Sequence, residues 1–142
     1  MIHNIRYRLF VYEDEDEEEL IQGLHNILPT AKINREIAEG IFENQVIILS
    51  GKVDTKKDTK EFLKNLLAID REELEKLYKD IPKKTDENGN LFLRFSKTSA
   101  FEEKWEILDV GDSIHLKIKI MAYPAKKEVA INLLHEVLDE IL

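Results

Sequence analysis

The chain has 142 residues, 43% hydrophobic and 35% charged, with a formal net charge of −8 and no cysteine. That is the size and composition of a single globular domain, residues 1–142, with enough aliphatic residues for a core. The composition excludes a disulfide scaffold, a thiolate metal site and a cysteine nucleophile. No apolar run approaches the ~20 residues of a membrane span, so a cytoplasmic protein with no membrane partner is expected.

Residues 1–12 alternate, with His3, Ile5, Tyr7, Leu9 and Val11 on one side and Asn4, Arg6, Arg8, Phe10 and Tyr12 on the other, which predicts a strand with one apolar and one mixed face. Seven acids follow without interruption from Glu13 to Glu19. Leu20, Ile21, Leu24, Ile27 and Leu28 then recur at helical spacing until Pro29, so the acids load the first turn of a helix, as its macrodipole favours. Residues 32–39 and 45–53 read as two paired strands joined by a loop at 40–44.

Asp54 is expected to open a helix carrying Phe62, Leu63, Leu66 and Leu67. Asp70 and Glu73 are spaced as a capping box for a second helix, which Pro82 should end. After a polar loop with an Asn-Gly turn, Leu91, Leu93 and Phe95 alternate with Phe92 and Arg94 as a strand. Residues 96–104 suggest a short helix and residues 105–108 an extended piece. In residues 113–123, Ile114, Leu116, Ile118, Ile120 and Ala122 face one way and His115, Lys117, Lys119, Met121 and Tyr123 the other. Pro124 is expected to begin a last helix with the stripe Val129, Leu133, Leu134, Val137, Leu138, Ile141 and Leu142. This order predicts an α+β, two-layer sandwich: a mainly antiparallel, or mixed, sheet with helices on one face and the other face open.

Catalytic patterns are missing. The five glycines stand singly, the four histidines never take a two-histidine metal spacing, and Asp86, Asn88 and Asn90 start a calcium-loop pattern that Leu91 and Lys97 break. No cofactor, no metal and no enzymatic activity are therefore expected. What remains is the open sheet face. There Arg6, Arg8, Arg94, Lys117, Lys119 and His115 would gather beside Phe10, Tyr12 and Phe92, a mixture of cations for phosphates and rings for bases. The same alternation occurs in any half-buried strand, where long basic side chains cover rings with their stems. Lys56, Lys57, Lys60 and Lys64 make a second basic patch on one helix face.

The segments YRLFVYEDEDEEEL (7–20), LPTAKINREIAEGIFENQVIILSGKV (28–53), NLFLRFSKTSAF (90–101) and IHLKIKIMAYPAKK (114–127) resemble the archaeal predicted RNA-binding proteins, also described as predicted exosome subunits. The likeness spans nearly the whole chain. Its most specific pieces are LFLRF followed by Lys97, and AYPAK at residues 122–126, and so it marks Arg94, Lys97, Tyr123 and Lys126. Two departures stand out: Ser96 occupies a position where the family commonly has an acid, and the chain is strongly acidic overall.

The resemblance implies a fold like the ribosomal large-subunit protein that contacts the small ribosomal RNA. It also implies a non-catalytic, RNA-binding accessory role beside RNA-processing complex subunits or ribosome-related machinery. The expected partner is single-stranded or irregular RNA, held by a monomer or homodimer. The alternative is a protein-interaction module or homodimer that uses the same face and Ile2, Phe10, Phe92 and Met121.

Overall fold

The computed structural model describes residues 1–39 and 44–142, so the expected loop at 40–44 lies, except for Asn44, outside the described residues. Among the described residues, six strands and five helices run in the order β1 (Ile2–Val11), α1 (Glu17–Ile27), β2 (Asn34–Glu39), β3 (Gln45–Val53), α2 (Lys56–Leu66), α3 (Arg71–Lys84), β4 (Asn90–Phe95), α4 (Lys97–Phe101), β5 (Ile107–Leu108), β6 (Ile114–Ile120) and α5 (Lys127–Asp139). The strands form one open antiparallel sheet in the order β2-β3-β1-β6-β4-β5, the expected α+β sandwich class. Two edge pairings are antiparallel in the register Asn34↔Ser50 to Glu39↔Gln45 for β2 and β3, and Arg94↔Leu108 for β4 and β5.

The chain's contacts gather into two compact units, and β1, β4 and β6 contribute residues to both. The first contains Met1–Ile5, Asp54–Leu93 and Lys117–Leu142. Its core is built from Phe62 and Leu66 of α2, Leu74, Leu77 and Ile81 of α3, Leu91 and Leu93 of β4, Ile118 and Ile120 of β6, and Ala130, Leu134 and Leu138 of α5. The helical residues fall at three- and four-residue steps, which place them on one stripe. On β6 Lys117 is exposed beside buried Ile118, as the alternation requires, while Lys119 is half-buried.

Four expectations for this unit change. Pro82 lies inside α3, which continues to Lys84. A proline cannot supply the N–H that the carbonyl four residues earlier, Tyr78, would accept. That carbonyl instead accepts from Nε2 of His135 on α5 at 3.1 Å, while the two rings stack at 4.3 Å. The Asp70 side chain makes no capping hydrogen bond, and α2 is capped by Thr55 Oγ1, one residue beyond Asp54, which accepts from the Asp58 N–H at 3.2 Å. Pro124 precedes α5 rather than opening it. The backbone is still extended at Lys126, the N-cap, so the buried stripe starts at Ala130 and runs through Leu134 to Leu138, with Ile141 exposed.

The second unit contains Arg6–Val53 and Arg94–Leu116. Tyr7, Leu9 and Val11 of β1, Leu20, Leu24 and Ile27 of α1, Leu49 of β3, Phe95 of β4 and Leu116 of β6 are buried in it. Asp16 caps α1 by accepting from the N–H groups of Glu18 at 3.0 Å and Glu19 at 3.4 Å, so the acidic run is a capped helix start. Helix α1 meets α4 at Gly23, where a Cβ would lie 3.1 Å from the Phe101 nitrogen and 3.4 Å from the Ala100 Cβ. Asn26 Nδ2 donates to the Ala100 carbonyl at 2.8 Å and ties the two helices together. At Gly51 a side chain would meet the Lys32 carbonyl at 2.6 Å, in the space where the Tyr7 hydroxyl donates to that same carbonyl.

The start of β1 also departs from the simple alternation. Ile2 and Ile5 are both buried and three residues apart, while His3 and Asn4 lie outside and hydrogen-bond to each other at 2.8 Å. That two-residue outward step shifts the phase of the strand. It takes Ile2 out of the apolar set expected on the open face.

Candidate nucleic-acid interface

In the second unit the outward residues of β1 come first. Arg6 and Arg8 are exposed, Phe10 is half-buried and Tyr12 is 42% exposed. The Arg8 guanidinium lies 5.5 Å from the centre of the Phe10 ring, and the Phe10 and Tyr12 rings are 6.4 Å apart, tilted by 36°. An arginine over a ring is stabilised by the ring quadrupole and covers it from water.

Strand β6 lies between β1 and β4 in the sheet. Its His115 is half-buried, and burial, then Arg94 on β4 and Arg8 on β1, hold its pKa below the usual histidine range. The imidazole is therefore neutral at pH 7, with two guanidinium groups acting on it. Arg94 is oriented by donating Nη1 to the Gly111 carbonyl at 3.2 Å.

Lys97 sits differently from its neighbours in the motif. It is only 8% exposed, at the first residue of α4, and its ammonium donates to the Phe10 carbonyl at 2.6 Å, to Asp112 Oδ2 at 2.8 Å and to Glu15 Oε1 and Oε2 at 3.0 and 3.2 Å. An ammonium has three protons, and these acceptors engage all of them. The same nitrogen lies 5.2 Å from the centre of the Tyr12 ring, whose own backbone N–H donates to Glu15 Oε1 at 3.0 Å. Lys97 thus braces the end of β1 and the ring of Tyr12 from within, and does not offer its charge to an outside phosphate.

In the first unit, Phe92 is half-buried and Lys117 exposed, as the strand alternation requires. Both β6 lysines attend the turn of residues 86–90. Lys119 Nζ donates to the Asn88 carbonyl, and Lys117 acts on the Asp86 carboxylate. Burial alone would raise the pKa of Asp86. The Asn90 N–H and side-chain amide, the Asn88 N–H and Lys117 outweigh it and hold the carboxyl below its ordinary range. That carboxylate accepts from Asn90 N at 2.8 Å, Asn90 Nδ2 at 3.0 Å and Asn88 N at 3.0 Å, so the apparent calcium-loop start is a closed turn. Tyr123 is 80% exposed, Lys126 is exposed at the N-cap of α5, and Lys56, Lys57, Lys60 and Lys64 stand exposed on α2.

The residues that sequence reasoning missed are Glu15 and Asp112. They reach Lys97 across 82 and 15 positions, and no local spacing signals such a pairing. Among the described residues no group of three or more His, Cys, Asp and Glu is placed to hold a metal, and no helix is long and apolar enough to cross a membrane.

A family model described as RNA binding matches residues 4–120. The chain belongs to that RNA-binding family. It is 28% identical to the RNA-binding protein PAB1135 of Pyrococcus abyssi over 144 aligned residues, which cover 96% of this chain and 94% of that one. Among solved structures it is similar to Mth689, a DUF54 protein of Methanothermobacter thermautotrophicus, with 44% identity, a TM-score of 0.87 and coverage of 97% and 98%. It is likewise similar to the DUF54 protein AF2318 of Archaeoglobus fulgidus, with 26% identity, a TM-score of 0.84 and coverage of 96% and 99%. These matches place the RNA-binding family among archaeal proteins and run nearly end to end, so Arg8, Arg94 and His115 all fall within the matched span.

Proposed function

We propose that this chain binds single-stranded or irregular RNA as a non-catalytic accessory protein, acting as one domain. The main contact is the outward set Arg6, Arg8, Phe10, Tyr12, Arg94 and His115. Within the first unit, Phe92, Lys117, Lys119, Tyr123 and Lys126 form a second candidate group for RNA. A place beside RNA-processing machinery such as the exosome, or beside ribosome-related particles, rests on the family resemblance. So does a cytoplasmic location.

One observation carries the reading: Arg8, His115 and Arg94 occupy outward positions on β1, β6 and β4, with Arg8 over the half-buried Phe10 ring, in a protein whose net charge is −8. A chain with such an excess of acid gains a foothold on a polyanion only where cations cluster locally, because charge is screened within about 8 Å at physiological salt. The rings supply base-stacking surface beside those cations. Lys97 is left out of the contact set because its protons are engaged internally.

The test is the salt dependence of single-stranded RNA affinity. About three to five phosphate contacts give a slope of log affinity against log salt near −2 to −3.5, and Arg94→Ala makes it shallower by about 0.7. A flat slope, together with a mass that grows with protein concentration in the absence of RNA, would replace this reading with the protein-interaction module.

A further inference from the structure

We propose that Arg8, His115 and Arg94 form a seat for one phosphodiester group, and that RNA held there binds more tightly as a proton is taken up by His115. The identity of the ligand rests on the RNA-binding reading above. The seat itself rests on the three side chains.

The geometry is a cluster of like charge on adjacent strands. Arg8 faces outward on β1, Arg94 on β4, and His115 stands on β6, the strand between them in the sheet. Each guanidinium keeps donors for a ligand: Arg94 commits Nη1 to the Gly111 carbonyl, which helps to orient it, and Arg8 lies over the Phe10 ring, 5.5 Å from its centre. A planar guanidinium held in this way presents paired N–H groups that match two oxygens of a phosphate. Two acids of the same unit that could compete for these cations, Glu15 and Asp112, are both held by the Lys97 ammonium at 3.0 and 2.8 Å.

The proton follows from the charges around the imidazole. In the free protein its burial and the positive groups of Arg94 and Arg8 keep it neutral. A phosphodiester carries one negative charge across the whole range from weakly acidic to neutral pH, so the ligand does not titrate there. Brought between the arginines, it offsets their repulsion and accepts a hydrogen bond from the imidazolium, and both effects favour the charged ring. The pKa of His115 is then higher in the complex than in the free protein. Linkage fixes the sign: affinity increases as pH falls through the window bounded above by the bound-state pKa and below by the free-state pKa. Each unit between the two is worth about tenfold in affinity.

The experiment follows the His115 ring by NMR between pH 5 and 8 in the whole chain, alone, with dimethyl phosphate and with oligouridylate. Oligouridylate affinity is measured at pH 7.5 and 5.5 for the wild type and for His115→Gln. The expected result is an upward move of the His115 titration with both ligands, and a roughly three- to tenfold gain in wild-type affinity at pH 5.5 that His115→Gln loses. His3, His25 and His135 are present in both proteins, so the variant isolates the part that belongs to His115. If His115→Gln does not fold, the wild-type titrations decide the matter alone. A His115 titration unmoved by saturating ligand overturns the seat, as does a pH dependence that survives in His115→Gln; in either case RNA binding itself can still hold. Movement with dimethyl phosphate but no binding of oligouridylate at either pH supports the seat and removes RNA as its ligand.

Discussion

Two regions of this molecule set cations beside acids and use them in opposite ways. In the second unit, one buried lysine, Lys97, gathers the Glu15 and Asp112 carboxylates, and Arg6 and Arg8 stand exposed on the neighbouring strand. In the first unit the acid is already satisfied by backbone N–H groups of its own turn, and the outward lysines of β6 lean onto that turn from outside. The availability of a positive charge thus depends on which neighbour neutralises the nearby acids. An internal cation that takes up carboxylates frees surface arginines, whereas surface lysines that do so themselves are partly engaged. In a chain with eight more acids than bases this division decides where a polyanion can land.

Removing Lys97 should have the largest effect. Lys97→Met leaves two carboxylates and the Phe10 carbonyl without their shared donor, and should cost about 3 kcal/mol of stability in urea unfolding. A loss below about 1 kcal/mol would mean that the ion cluster is as weak as an ordinary surface pair. Asp86→Ala should come next, at about 1–3 kcal/mol, because the N–H groups of Asn88 and Asn90 lose their acceptor. Its pH signature has a definite sign. The folded-state pKa of Asp86 lies below the ordinary 3.8, so its contribution is fully present above that value and fades as pH falls through the folded pKa. Asp86→Ala should therefore unfold with less dependence on pH below about 4 than the wild type does. Lys119→Met should have the smallest effect, under about 1 kcal/mol, since it removes one partly exposed bond to a carbonyl that water can serve. If Lys119→Met proved as damaging as Lys97→Met, the two regions would not differ in the way described.

Much of the fold could be read from local pattern. The alternation in residues 114–122 correctly separated buried Ile114, Leu116, Ile118 and Ile120 from exposed Lys117, since one face of a half-covered sheet fixes the register. The helices of residues 17–27 and 56–66 followed from apolar spacing, while their caps, Asp16 and Thr55, emerged only in the structure. What escaped was decided at long range. The phase step at His3 and Asn4 has no marker in residue type. Lys97 stands in a stretch rich in polar residues, and only the fold brings Glu15 and Asp112 to it. Pro82 carried a strong local signal to stop the helix, yet a partner more than fifty positions away supplied the missing donor. Arg8, Arg94 and His115 were legible as outward residues, but the order of the strands was needed to make them neighbours.

That donor has a consequence for how the first unit opens and closes. Wherever Pro82 interrupts the hydrogen-bond ladder of α3, the repair belongs to His135, on a helix that forms from the far end of the chain. The last turn of α3 is thus incomplete until α5 has docked, and α5 in turn is held in rotation by the stacked Tyr78 ring. The two helices form a single cooperative element, and amide exchange in residues 78–85 should slow only in step with protection of residues 130–138.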